Sequence, residues 1–168
     1  MTAQRQEGNV RRLALAMIGL AALLLCPAGP APHAQAATTE RIVVDRHTGL
    51  AIDGFDPVAY FTDGAARMGV IEFEASAGGA IWRFANASNR AAFVEHPEIY
   101  APQFGGYDPV GIARGVPVQG NALVWLVSGQ RLYLFEREDS RDAFAADPTH
   151  YLAQARQQWP ALLATLAE

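Results

Sequence analysis

Asp56 and Asp108 each stand directly before a Pro-Val pair, in "GFDPVAYF" (54–61) and "GGYDPVGI" (105–112). Carboxylate oxygen and imidazole nitrogen suit a divalent transition metal, and Asp56 and Asp108 with His96 and His150 would supply both. No two histidines have the i, i+4 spacing of a ready site. His96, just before Pro97, is also explained by attraction of an imidazolium to a helix C-terminus. The stretch "YAPQFGGYDPVG" offers other chemistry: Tyr60, Tyr100, Phe104 and Tyr107, beside the Gly105-Gly106 turn and Asp108, would line a groove for a small ligand. The alternative is that these aromatics are core residues of a junction. Catalysis has less to draw on. Lysine is absent from all 168 residues, which removes a P-loop lysine, a Schiff base and a Ser-Lys dyad. Ser76, Ser88, Ser128 and Ser140 form no Gly-x-Ser-x-Gly elbow. The expectation is a protein that is not an enzyme and needs no cofactor, with a divalent metal as the alternative.

The chain opens with Arg5, Arg11 and Arg12, then an apolar run from Leu13 to Leu25, then a Pro- and Ala-rich stretch ending in Ala34-Gln35-Ala36. This order reads as a signal peptide over 1–36, so the mature protein is expected in the periplasm. Arg11-Arg12 leaves a twin-arginine route open. Cleavage removes three arginines and one acid, leaving 10 against 16 and a charge of −6. Nucleic acid is therefore not an expected partner. The single cysteine, Cys26, leaves with the same segment, so the mature chain has neither disulfide nor thiolate ligand. It also has no apolar run long enough to span a bilayer.

The elements that must position these residues come in two copies. At an offset of 51, Phe84, Arg90, Ala92, Phe93, Pro97 and Tyr100 meet Phe135, Arg141, Ala143, Phe144, Pro148 and Tyr151. The two Asp-Pro-Val stretches lie 52 apart, one indel away. Each copy reads as turn, β-hairpin, capped helix and Pro stop. The hairpins are "VIEFEAS"/"AIWRF" and "ALVWLV"/"RLYLF"; the helix caps are Asn86 or Ser88, and Asp139 or Ser140. Pro160 is expected to open a separate short helix with Leu162, Leu163 and Leu166. The expected fold is α+β, two tandem β-hairpin-plus-helix units around one aromatic core, with a C-terminal helix. The expected boundaries are a lead strand over 37–53, a domain over 54–160 with units at about 54–104 and 106–160, and a tail helix over 161–168.

One face differs between the copies. Glu72, Glu74 and Arg83 give the first hairpin a wet side, whereas Leu123, Trp125 and Leu134 replace them in the second. That apolar face must be covered. The C-terminal helix or the "RIVV" segment would do so; otherwise Leu123, Trp125 and Leu134 form an interface for a homodimer or a periplasmic protein partner.

"GFDPVAYF", "WRFANASNRAAFVEHPEIYAPQFGGY", "GQRLYLF" and "DPTHYLAQARQQWP" together resemble the YHS domain family, in its secreted stand-alone branch, over roughly residues 50 to 160. The resemblance implies kinship with small treble-clef metal-binding modules, found in heavy-metal pumps and near oxygenases. Metal-binding relatives carry cysteine where this chain has Ala59, Ala85 and Asn89, and Gly111, Glu136 and Ser140 in the second copy. Many secreted relatives carry cysteine or selenocysteine at the position of Asp108. With every thiol replaced, the resemblance implies the fold without its soft-metal or redox chemistry, and so a binding or interaction module.

Overall fold

Alternating strands closed by glycine turns, each pair followed by a helix that a proline stops, build the same unit twice. A computed structural model of the chain describes residues 41–166. The expected signal peptide over 1–36 lies outside the described residues. After a left-handed turn at Ile52–Gly54 come helix α1 (Ala59–Thr62), strands β1 (Val70–Ala77) and β2 (Ala80–Phe84), and helices α2 (Ala87–Glu95) and α3 (Pro97–Tyr100). A second turn at Gln103–Gly106 then leads to α4 (Pro109–Ala113), β3 (Asn121–Ser128), β4 (Arg131–Phe135), α5 (Glu138–Ala146) and α6 (Pro148–Leu163). From β1 to the end of α2, every boundary recurs 51 residues later.

The repetition extends to irregularities. β1–β2 and β3–β4 are separate antiparallel pairs, and each breaks register at the same place, between Val70 and Glu74 and between Asn121 and Trp125. Gly69 and Gly120 precede those strands because a Cβ there would come within 2.5 Å of Arg83 and 2.6 Å of Leu134. Ile52, Asp53 and Gly54 all have positive φ, as do Phe104, Gly105 and Gly106. For Ile52 this costs about 1–2 kcal/mol, because its β-branch crowds the following carbonyl.

Caps and stops follow local chemistry, with three corrections. Asn86 caps α2 by accepting the Asn89 amide at 2.8 Å. Its counterpart is Arg137, not Asp139 or Ser140; α5 begins with no side-chain cap, and both expected residues lie inside it. Pro97 and Pro148 each end one helix and start the next, since a missing N–H is harmless in a first turn. The C-terminal region is one helix through Pro160 to Leu163, not a break followed by a tail helix over 161–168. Packing of Trp159, Leu162 and Leu163 against the core carries it past the lost hydrogen bond. Among the described residues, the expected lead strand is reduced to single bridges, Val44 to Ala51 and Leu50 to Ile81, its first four residues lying outside them. Asp45 folds that segment back by accepting the amides of His47 at 2.9 Å and Thr48 at 2.8 Å.

The aromatic core is laid out as three clusters. The first joins Ile52, Tyr60, Trp82, Phe84 and Phe93 of the first unit to Ala122, Leu132 and Leu134 of the second. The second packs Val43, Tyr107, Ile112 and Ala113 against Ala155 and Trp159 of α6. The third holds Val110, Tyr133, Phe135 and Phe144. From Leu132 to Phe135, strand β4 is therefore buried on both faces, Leu132 and Leu134 toward the first unit and Tyr133 and Phe135 toward α5. Among the described residues no helix is long and apolar enough to cross a membrane.

Candidate functional site

The two aspartates are buried and occupied by the backbone. Asp56 Oδ1 accepts the amides of Val58 (2.9 Å) and Ala59 (3.3 Å). Its Oδ2 accepts the Ala85 amide (2.8 Å) and the side-chain amide of Asn89 (2.6 Å). Four donors fill the four lone-pair positions of a carboxylate, tying the start of α1 to the end of β2 and the first turn of α2. Asp108 repeats this with the amides of Val110 (2.8 Å) and Glu136 (3.0 Å). Ser140 stands in place of Asn89, and its side chain makes no hydrogen bond to Asp108. The positions where the resemblance would put cysteine in the first copy, 59, 85 and 89, all touch Asp56.

The expected metal set is thereby corrected. Asp56 and Asp108 hold separate units. His96 sits half-exposed between α2 and α3, 3.7 Å from Glu95 and 3.4 Å from Glu98. His150 is exposed on α6 with its ring edge-on to Tyr151 at 5.4 Å. Among the described residues no group of three or more His, Cys, Asp or Glu side chains could hold a metal ion.

The expected groove is corrected as well, because its members are divided among the clusters. Tyr60 is buried, its hydroxyl donating to the Ala122 carbonyl at 2.8 Å and its ring edge-on to Trp125 at 5.2 Å. Burial, with the charges of Asp53 and Asp56 nearby, pushes its phenol well above the usual tyrosine range. Tyr100 packs on Phe61 at 5.4 Å. Phe104 and Tyr107 lie against Trp159 at 5.6 and 6.1 Å. Gly105 and Gly106 supply the left-handed turn between them, and Asp108 is enclosed. The junction reading of this stretch holds.

Of the expected interface residues, Leu134 is fully buried, Trp125 is half-buried on Tyr60, and Leu123 alone is well exposed, at 64%. Leu134 and Trp125 are covered within the first cluster, where the core of the first unit meets them and Ile42 and Val44 of the "RIVV" segment also pack; the C-terminal helix packs on the other two clusters. Local periodicity marks a face as apolar without saying which element meets it.

The accessible counterpart lies on the first hairpin. Ala122, Leu132 and Leu134 correspond, 51 residues earlier, to Ile71, Ile81 and Arg83. Ile71 is 66% exposed and Ile81 39%, and neighbouring Met68 is 58%. Between them Arg83 Nε lies 2.7 Å from Glu74 Oε1. The sequence carried this signal in the offset, through Ile71 and Ile81, but the alternation of glutamates marked the face only as wet. Beside it, a cleft of about 490 Å³ runs between Arg41, Ile42 and Val44 and the hairpin tip at Gly78, Gly79 and Ala80. Compared with known protein families, curated proteins and solved structures, the chain matches none.

Proposed function

We propose that the protein is a non-enzymatic binding or interaction module of the YHS type that works in the periplasm, with the outer face of its first hairpin as the recognising surface. One observation carries this reading. The same face of the second hairpin is buried against the first unit, whereas on the first hairpin it stays open around the Arg83–Glu74 pair. Apolar side chains beside a polar pair suit an interface that forms and separates, because the protomer remains soluble without its partner. The arginine-flanked apolar run and Ala34-Gln35-Ala36 support export. N-terminal sequencing of the protein from the cell envelope should then begin near Ala37.

The surface is tested with a photo-crosslinking residue at position 71 and, as a control, at position 123. A specific adduct from position 71 that disappears on Ile81→Asp is the expected result. Equal yields from both positions, or none from either, would remove the reading. Stoichiometric copper or zinc that stays with the purified protein through dialysis would replace it with metal handling.

A further inference from the structure

The open face has a defined complement inside the fold. On the second hairpin, the equivalent face is met by the turn side of the first unit: Ile52, Tyr60 and the backbone around them. The turn side of the second unit, Phe104, Tyr107 and Ile112, is covered by α6 through Trp159 and Ala155. The two-unit stack is thus closed by α6 at one end and open at the first hairpin. A head-to-tail contact with another copy would need a turn side as its complement, and both turn sides in each chain are already taken. Of the faces that stack within the chain, the outer face of the first hairpin is the one left open among the described residues.

Resting on the surface proposed above, we infer that the outer face of the first hairpin docks on the same face of a second copy, giving a two-fold dimer. Such a contact is isologous and closes at two. The face is self-complementary. Arg83 and Glu74 lie side by side, so an axis passing between the pairs sets each Arg83 against the Glu74 of the second copy, with Met68, Ile71 and Ile81 around them. Pairing through the free edge of β1 is disfavoured. An antiparallel self-pairing centred on Phe73 would oppose Glu72 to Glu74, and Arg90 Nε already holds the Glu74 carbonyl at 2.6 Å.

Sedimentation equilibrium of the purified protein tests this. The expected result is a dimer that Ile71→Glu dissociates and Leu123→Glu leaves intact. Arg83→Glu should weaken association at least about tenfold, and Arg83→Glu with Glu74→Arg should restore it, since the doubled reversal is again self-complementary. These are surface positions, and an unchanged circular dichroism spectrum checks that each variant folds. A monomer at every concentration, or a dimer indifferent to Ile71→Glu and Arg83→Glu, overturns the inference. If that monomer still gives the position-71 adduct with another protein, the dimer alone falls; if it gives none, the recognising surface falls with it.

Discussion

Asp56 accepts four donors and Asp108 two, so the same substitution should harm them unequally. Asp56→Ala leaves buried amides without partners and should cost about 3–5 kcal/mol, against about 2–3 kcal/mol for Asp108→Ala, read from urea unfolding midpoints. Tyr60 gives a test with a sign. Its folded-state pKa is raised by burial, so its contribution is full below the unfolded value of 10.0 and is lost as pH rises toward the folded value. Tyr60→Phe should therefore be less stable than wild type by about 1–2 kcal/mol near neutrality, from the hydrogen bond lost at Ala122, and the two should converge above pH 10. A difference that stays constant into alkali would contradict this. The Asp-Pro-Val stretches were legible as turns. That their remaining oxygens serve Ala85, Asn89 and Glu136 was not, because those donors arrive from the far side of a hairpin.

Among elements, the hairpins and central helices follow from strand alternation, glycine turns and the offset of 51, all local signals. The ends of elements were less legible where packing overrides propensity, as at Pro160, which lies inside α6 and not at a helix start. The uneven caps yield a prediction on one backbone geometry, since Asn86 and Arg137 both sit in extended conformation before equivalent helices. Asn86→Ala should lose about 1 kcal/mol and Arg137→Asn should gain a similar amount. The exposed contacts of Arg137 to Glu136 and Asp139 offset little of that gain. Thermal melts of both variants check the pair; a fall in midpoint for Arg137→Asn would mean that the two helix starts are not equivalent.

For the whole molecule, the decisive feature is that the first cluster draws on both units. Leu134→Arg, which installs the first copy's residue in the second, should cost about 4 kcal/mol or more, because it places an unpaired charge against Tyr60 and Ile52. Its mirror, Arg83→Leu, should change stability little, since Arg83 lies at the open end. The duplication was legible in the chain, but not the way one copy docks on the other, because two similar units can be stacked in several ways that local patterns do not distinguish. The shared cluster also sets an order in time. A chain synthesised from its N-terminus presents Ile52, Trp82 and Phe93 long before Leu132 and Leu134 leave the ribosome. Until then the early half must wait with the side that Ala122, Leu132 and Leu134 will cover still open to water.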